Sequence, residues 1–329
     1  MFENKVTVIG YTASGKTTYL AGMYTCMTLG IKHFSLYATN PNNDLYLEQL
    51  WSRICEGVKP DPSDNVEKYS FHIAHNRKPV TDFEWMDYPG GVLSQPNSQE
   101  FQALVANVKE SDCLLLILDG DKLFNIEASD VEDYKDNVLR NISMDEGIRR
   151  EVKLFSYLSA NHIDLPPVGI VVTKCDLIPK QYQTAIQEII GTQFEDIIEE
   201  KGRVVLPMSV TLGGKIEPGF SPRPYNIEQP IAFAVLAILL KYLNDANAKK
   251  DANNSYIENN SGIIKGFFNS GKVDRARQNS QELMQEIDKW SDNAFKLIDL
   301  FSEKKQIYVD GRSRNLKEYY QELFRAISN

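Results

Sequence analysis

Six short apolar runs alternate with segments of helical spacing over the first three quarters of the chain. The runs are Lys5–Ile9, Tyr69–Ile73, Asp82–Asp87, Cys113–Asp119, Val168–Lys174 and Arg203–Ser209. Two of them contain the stretches LLLIL and GIVV, which are apolar at consecutive positions, as in strands buried on both faces of a parallel sheet. Strands that alternate with helices predict a layered α/β domain.

Five segments between and after these runs have the apolar spacing of helices. They are Lys16–Leu29, Gln99–Lys109, Val131–Ala160, Gln181–Glu200 and Gln229–Asn244. The third is long for a connection between two strands, so we expect an elaborated helical region there.

The composition changes after this domain. Asn, Asp, Ala, Lys and Ser dominate Asp245–Ser261, which is typical of a linker. Beyond it, Val273–Lys304 carries large apolar residues at three- and four-residue intervals, DGRSR from Asp310 predicts a turn, and Leu316–Ile327 predicts a final amphipathic helix. We therefore predict an α/β domain at 1–248, a linker at 249–272 and a helical C-terminal extension at 273–329.

The overall composition, with 42% hydrophobic and 25% charged residues, is that of an ordinary soluble globular protein. A net charge of -9 argues against broad binding to nucleic acid or anionic lipid. The cysteines have neither metal-ligand nor redox-motif spacing, which favours reduced thiols in a cytoplasmic protein.

Targeting and membrane segments are not expected. The opening MFENKVTVIG has no long apolar stretch, which argues against a conventional signal peptide. The most apolar helix, Ile231–Leu243, is too short to cross a bilayer and contains Lys241, so we interpret it as a buried core helix.

The segment GYTASGKT, from Gly10 to Thr17, fits the pattern G-x-x-x-x-G-K-[ST] at every fixed position. A predicted strand precedes it and a predicted helix follows it, as a phosphate-binding loop requires. Glycines let backbone N–H groups turn inward around phosphates, and the helix N-terminus adds partial positive charge. We expect Lys16 to reach the β- and γ-phosphates and the Thr17 hydroxyl to bind Mg²⁺. The expected nucleotide-binding residues are Gly10, Thr12, Ala13, Ser14, Gly15, Lys16, Thr17 and Thr18.

A carboxylate at the end of a neighbouring strand would complete a Mg²⁺–nucleotide site. Asp87 ends the run DFEWMD and is followed by Tyr88, Pro89 and Gly90. We expect Asp87 to hold the metal and the Gly90 N–H to contact the γ-phosphate. The alternative is an ordinary Pro-Gly turn after a strand.

The segment TKCD, at the end of the run GIVVTK, predicts the choice of base, although taken alone it fits a polar strand-to-loop cap equally well. The Asp176 carboxylate can accept two hydrogen bonds from guanine, and adenine has no such pair of donors. Thr173 belongs to the same segment, and the Lys174 stem would pack along the base. Ser209 and Val210, at the end of the last run, would lie near guanine O6, although they fit an ordinary strand end as well.

The segments GYTASGKT, DYPG, TKCD and MSVT, in this order, resemble the G domain of Ras-like P-loop GTPases of the translation-factor-related class. The opening segment is also similar to bacterial stand-alone GTPases, some of them thought to belong to defence or conflict systems. The resemblance covers roughly Lys5–Asn244. It implies a doubly wound, mostly parallel six-stranded sheet, GTP, GDP and Mg²⁺ as ligands, and a nucleotide-dependent switch with a protein effector or activator.

Two departures from the family bear on hydrolysis. The family places a threonine that contacts Mg²⁺ and the γ-phosphate before the DYPG strand; here the best candidate is Ser63, its competitor is Thr39, and either could simply cap a turn. Many members place a water-orienting glutamine where this chain has Gly91, and Gln95 and Gln99 stand at the wrong offset.

The resemblance therefore implies slow hydrolysis of GTP, with Lys16, Ser63 and Gly90 as the catalytic set. A partner, a second protomer in a homodimer or a residue elsewhere would have to supply the missing group. One alternative is a GTP-sensing scaffold with negligible hydrolysis. Another is a P-loop ATPase or kinase, which Asp176 opposes.

Overall fold

The computed structural model describes residues 3–95, 98–161, 163–199, 201–260 and 263–328. These residues form two compact units. The first contains the chain up to Ala234 together with Gln306–Arg314, and the second contains Val235–Lys305 and the chain from Asn315 onward.

The first unit is built on a mixed sheet that has nine strands in the described residues. The strands are β1 Lys5–Ile9, β2 Phe34–Ala38, β3 Glu67–His75, β4 Lys78–Asp87, β5 Cys113–Asp119, β6 Val168–Thr173, β7 Val204–Ser209, β8 Gln306–Val309 and β9 Arg312–Asn315. Their order is β2-β3-β4-β1-β5-β6-β7-β8-β9. β4, β1, β5, β6 and β7 are parallel, and β2, β3 and β8 are antiparallel to their inner neighbours. The predicted α/β fold with a mostly parallel core is confirmed, although the sheet is wider than the six strands predicted.

The register of the parallel strands brings polar residues to one edge of the sheet. Val8 of β1 pairs with Asp87 of β4, and Asp119 of β5 pairs with Thr173 of β6. β6 is buried along its whole length, and β5 is buried up to Asp119, where the chain becomes polar. Parallel strands end on the same edge, so both carboxylates lie near the loop that follows Ile9.

Helices connect the strands and form most of the second unit. They are α1 Lys16–Leu29, α2 Pro41–Cys55, α3 Gln99–Glu110, α4 Gly120–Phe124, α5 Val131–Met144, α6 Glu146–Ala160, α7 Ala185–Gln193, α8 Glu195–Ile198, α9 Gln229–Asn260, α10 Ile263–Ile298 and α11 Leu316–Ser328. Short 3₁₀ turns are found at Gly90–Ser94, Cys175–Leu177 and Lys180–Tyr182.

Two predicted helices are interrupted. The helix expected over Val131–Ala160 breaks at Asp145, whose side chain accepts a hydrogen bond from the Ile148 N–H at 3.0 Å and so begins α6. The helix expected over Gln181–Glu200 is replaced by the turn at Lys180–Tyr182 followed by α7 and α8.

The interval between α1 and β3 contains two elements that the sequence pattern did not predict, β2 and α2. α2 begins at Pro41, and the preceding Asn40 side chain accepts a hydrogen bond from the Asn42 N–H at 3.0 Å. An Asn cap followed by proline is a strong helix start, and it was present in the sequence.

The linker predicted at 249–272 is helical as far as the structure describes it. α9 continues to Asn260, and α10 begins at Ile263. The sequence contains neither Gly nor Pro from Ile231 to Asn260, and extending an existing helix costs little. The polar composition therefore marks the point at which the residues of α9 become mostly polar, and the helix continues beyond it.

The length of α9 also changes the argument about membranes. The segment Gln229–Ser255 is long and apolar enough to cross a bilayer by length and composition alone, so the expectation that this helix is too short was wrong. Of its most apolar window, 61% is buried inside the protein. Burial, and not length, is what favours a core helix here.

Aromatic side chains connect the helices of the second unit. The ring centroids of Tyr242 in α9 and Trp290 in α10 lie 5.1 Å apart, and those of Phe295 in α10 and Phe324 in α11 lie 5.6 Å apart. The predicted C-terminal helices are present, and their aromatic spacing reflects packing between helices.

Candidate functional site

The loop between β1 and α1 has the backbone of a phosphate-binding loop. Gly15 has φ of +94°, in the left-handed region that favours glycine, and directly precedes α1. A Cβ on Gly10 would lie 2.6 Å from the Ile117 carbonyl oxygen, so the close approach of the loop to β5 needs glycine there. The Ser14 N–H donates to the Tyr11 carbonyl at 3.1 Å and closes the turn.

Lys16 lies across this loop. Its Nζ donates to the Gly10 carbonyl at 2.8 Å and stands 3.5 Å from the Tyr11 carbonyl. Burial lowers the pKa of Lys16, and the carboxylates of Asp87 and Glu151 oppose that shift. The Lys16 ammonium group is therefore partly desolvated, and its attraction for phosphate oxygens is stronger than it would be in water.

Asp87, at the end of β4, has the character of a cation ligand. Burial raises its pKa to about 6, an effect that Lys16 and a hydrogen bond from Thr17 oppose. Among the described residues, its Oδ1 atom has no hydrogen-bond partner. A buried carboxylate oxygen next to a threonine hydroxyl fits the oxygen ligands that Mg²⁺ prefers.

The two glycines after Pro89 differ in their surroundings. A Cβ on Gly90 would lie 2.3 Å from the Thr12 nitrogen and 2.7 Å from the Tyr11 carbonyl carbon, so this turn packs directly on the phosphate-binding loop. A Cβ on Gly91 would meet no described atom within 4 Å. Gly91, where the resemblance to Ras-like GTPases led us to look for a water-orienting glutamine, is therefore next to open space among the described residues.

The end of β6 is tied to the phosphate-binding loop. The Thr173 hydroxyl lies 2.8 Å from the Ser14 carbonyl oxygen and 3.0 Å from that of Leu118. Lys174 has φ of +54°, and its Nζ pairs with Asp119 Oδ2 at 2.7 Å. This ion pair fixes the direction of the Lys174 stem.

The acidic residue expected to choose the base is held in place. Asp176 is exposed, and the Thr211 hydroxyl donates to its Oδ1. The Val210 N–H donates to the Val172 carbonyl at 2.9 Å, and the Cys175 N–H donates to the Val210 carbonyl at 3.2 Å. The segments after β6 and β7 therefore form one continuous wall.

These segments surround a cleft of about 470 Å³. Twelve of the predicted site residues line it, namely Thr12, Ala13, Gly15, Lys16, Thr17, Thr18, Ser63, Asp87, Gly90, Thr173, Lys174 and Val210. Gly10, Ser14, Asp176 and Ser209 are next to lining residues in sequence or close to them, but they are not part of the lining as the structure describes it.

The two candidates for the switch residue are placed differently. Ser63 lines the cleft, and its hydroxyl donates to the Asn65 carbonyl at 2.8 Å. Thr39 follows β2, where its N–H donates to the Ser70 carbonyl at 2.8 Å. Within the described part of the chain, Ser63 is the candidate that borders the cleft.

Sequence reasoning missed several residues of the cleft. Lys59, Asp119, Asp121, Thr211 and Lys215 line it. Asp119 ends an apolar run directly before α4, which is a signal that could have been used, and Asp121 follows it within that helix. Lys59, Thr211 and Lys215 come from loops whose course depends on tertiary packing, so the sequence pattern could not place them.

A phosphate-binding loop, an acidic strand end and a TKCD segment, all at the carboxyl edge of one sheet, define a GTP-binding domain of the P-loop GTPase class. The chain belongs to the Double-GTPase 2 family, since the model of that family matches residues 4–205. No curated protein sequence matches the chain.

Two solved structures of other proteins are similar to parts of the chain. The bacterial selenocysteine-specific elongation factor EF-Sec is 15% identical, with a TM-score of 0.30, over 64% of this chain and 26% of that one. The GTPase-like domain of S. cerevisiae Ski7, bound to GTP, is 16% identical, with a TM-score of 0.38, over 68% and 46%. The chain thus spans a quarter to a half of those proteins, and a likeness at this level carries no argument about its activity.

Proposed function

We propose that this protein binds GTP together with Mg²⁺, hydrolyses it slowly to GDP and phosphate, and acts as a nucleotide-dependent switch. The observation that carries the proposal is the convergence of Lys16, Asp87 and Lys174 on one cleft, because they come from chain segments far apart in sequence. Family membership supports the guanine nucleotide as the ligand.

Each part of the cleft has a role in this proposal. The backbone N–H groups of the loop and Lys16 would bind the phosphates, and the Gly90 N–H would face the γ-phosphate. Thr17 and Asp87 would hold Mg²⁺, with Ser63 as the switch ligand. Bound there, the ion would neutralise charge on the β- and γ-phosphates. The Lys174 stem and Asp176 would bind the base.

Slow hydrolysis is expected from the surroundings of Gly91, which is exposed and has no side chain to orient a water molecule. A protein activator or a second protomer would supply the missing group, and an arginine supplied in trans is worth about 10³–10⁵ in rate. We place this activity in the cytoplasm, on the ground of cysteines without disulfide spacing.

The same glycine favours a second candidate function, a GTP-sensing scaffold that hydrolyses almost nothing. Single-turnover measurement of phosphate release from bound GTP separates the two. A rate no greater than that of GTP in buffer, with and without candidate activators, would leave the scaffold as the better account.

Calorimetric titration of the purified protein with GTP, GDP and ATP, with and without Mg²⁺, tests the proposal itself. We expect Mg²⁺-dependent binding of GTP and at least about a hundredfold weaker binding after Lys16→Ala, since a charge-assisted contact to phosphate is lost. Lys109→Ala, on the exposed face of α3, is the matched control and should bind as the wild type does. Unchanged affinity in Lys16→Ala would refute the proposal.

A further inference from the structure

α6, which belongs to the long helical connection between β5 and β6, contacts the phosphate-binding loop at Tyr11. The Tyr11 N–H donates to Glu151 Oε1 at 2.9 Å. One turn earlier, a Cβ on Gly147 would lie 2.5 Å from the Tyr11 ring, so the helix backbone packs against that side chain. The helix therefore supports the loop at Tyr11, a residue that does not line the cleft as described.

Glu151 is almost completely buried, with 1% of its surface exposed. Within the described part of the chain, its second oxygen, Oε2, has no hydrogen-bond partner. The same is true of Ser14 Oγ, on a residue that is 3% exposed. Buried polar atoms of this kind normally have a protein or water partner.

Glu151 and Ser14 both line one small pocket of about 30 Å³, which shares Thr12 and Asp119 with the lining of the cleft. Tyr11, Lys122 and Asp145 line it as well. A cavity of this size can hold one water molecule, and its lining offers the several polar partners that a buried water requires. A water there that reached both oxygens would satisfy Glu151 and Ser14 together.

Glu151 and Lys16 hold opposite ends of the same peptide group. Lys16 Nζ donates to the Gly10 carbonyl at 2.8 Å, and Glu151 Oε1 accepts from the Tyr11 N–H, which belongs to the same peptide as that carbonyl. A phosphate in the cleft would compete for Lys16. Glu151 does not line the cleft as described, so it would not compete with the ligand.

We propose that Glu151 is a positioning residue of the nucleotide site, which orients the Gly10–Tyr11 peptide directly and holds Ser14 through one buried water. The expected effect of Glu151 on GTP affinity rests on the proposed function. Its expected effect on the structure of the phosphate-binding loop does not. Burial also raises the pKa of Glu151 to about 8, so that near neutral pH the side chain is largely an uncharged acid that can both accept and donate a hydrogen bond.

Two substitutions in the 329-residue chain separate a positioning role of Glu151 from a packing role. Glu151→Gln keeps an acceptor and a donor in nearly the same shape, whereas Glu151→Met keeps the volume and removes both. Leu154→Ala, one turn along α6 and buried in the core, is the control for a loss of stability without a loss of this contact.

The first readout is amide hydrogen exchange of the phosphate-binding loop in the nucleotide-free protein. We expect Glu151→Met to speed exchange of the Tyr11 amide by about tenfold or more, and Glu151→Gln and Leu154→Ala to leave it within about threefold of the wild type. The second readout is GTP affinity by calorimetry, where Glu151→Met should lose about tenfold and Glu151→Gln about twofold or less.

Equal exchange in Glu151→Met and the wild type, or equal weakening of GTP affinity in the Gln and Met variants, overturns the positioning role. Faster exchange in Glu151→Met in a protein that binds no guanine nucleotide supports the role and defeats the proposed function instead. If Glu151→Met does not fold, Ser14→Ala takes its place: a change in loop exchange of about threefold supports the shared water, and no change overturns it.

Discussion

At the residue scale, the candidate site depends on backbone positions that leave no room for a side chain. Gly90 packs against the backbone of Thr12 and Tyr11, whereas the next residue, Gly91, points into open space within the described structure. Two adjacent glycines of the same segment therefore carry different constraints. The first fixes the distance between the DYPG turn and the phosphate-binding loop, and the second leaves open space where a larger residue would place a side chain.

This contrast gives a matched pair of substitutions. We expect Gly90→Ala to weaken GTP binding by about tenfold or more and to destabilise the protein by about 1–3 kcal/mol, because backbone atoms cannot move aside for the added Cβ. Gly91→Ala should change both quantities very little, since no described atom lies within 4 Å of its Cβ. Thermal denaturation and titration with a fluorescent GTP analogue measure both. Similar effects of the two variants would contradict the packing described above.

Glu151 predicts a pH dependence of stability. Burial raises its pKa from the ordinary 4.5 to about 8 in the folded state; Asp145 acts in the same direction, and the Tyr11 N–H, Lys16 and Lys122 oppose the shift. Between these two values the folded state holds a proton that the unfolded state has released. The stabilising contribution is therefore complete below pH 4.5 and is lost as the pH rises through 8, at up to about 1.4 kcal/mol per pH unit.

Urea denaturation from pH 5 to 9 checks this dependence. The wild type should lose stability with rising pH relative to Glu151→Gln, whose side chain does not titrate. Parallel curves for the two proteins would contradict the pKa shift.

Residues of the candidate site were predictable from the sequence where local chemistry specifies them. Lys16, Asp87 and Lys174 follow apolar runs in motifs of fixed spacing, and all three line the cleft. Glu151 could not be predicted, because it lies on an amphipathic helix like any other charged residue. Only the tertiary packing of α6 on the loop shows that its side chain faces inward.

At the element scale, the chain between α1 and β3 is more ordered than its polar, Pro-containing sequence indicated. Tyr24 of α1 joins the two unexpected elements: its hydroxyl donates to Asp44 Oδ1 of α2 at 2.5 Å and accepts from the Ala38 N–H of β2 at 3.2 Å. Three apolar residues of α2, which are Leu47, Leu50 and Ile54, are buried. Their spacing is helical, and a five-residue strand such as β2 gives too short a pattern to be recognised.

Removal of the Tyr24 hydroxyl tests this connection. We expect Tyr24→Phe to lower the free energy of unfolding by about 1–3 kcal/mol, because it leaves Asp44 and the Ala38 N–H without that partner. GTP affinity should stay within about twofold, since Tyr24 does not line the cleft as described. Tyr37→Phe, at a residue that is 44% exposed, is the control and should be neutral. Urea denaturation that showed no difference between the two variants would count against the connection.

At the scale of the whole molecule, the central strands were more predictable than the ends of the helices. Near-continuous apolar runs identified the parallel strands β5 and β6, because burial on both faces requires them. The end of α9 was predicted too early, because the Asn- and Lys-rich stretch beyond Leu243 changes in polarity without a helix-breaking residue. The polarity of a segment indicates which surface is exposed to solvent, but it does not indicate where the helix ends.

The cleft joins segments from Thr12 to Ile227, so a bound ligand should stabilise the whole first unit. With Mg²⁺ and GTP at about a hundred times the Kd, mass action adds about 2.7 kcal/mol to the folded state. We expect the Tm of that unit, measured by calorimetry, to rise by several degrees with GTP and not with ATP. Lys16→Ala should remove the rise. An equal shift with ATP would contradict the assignment of base binding to Lys174 and Asp176.

The most direct test of guanine recognition is the nucleotide preference of Asp176→Asn. Xanthine carries an oxygen where guanine carries its exocyclic amine, so an asparagine amide can donate where the aspartate accepts. Competition binding with GTP and xanthosine triphosphate should show the wild type preferring GTP and the variant preferring xanthosine triphosphate, each by about tenfold or more. A variant that keeps the wild-type preference, or a wild type that binds ATP as tightly as GTP, would contradict the central claim that Asp176, beside the cleft, selects guanine.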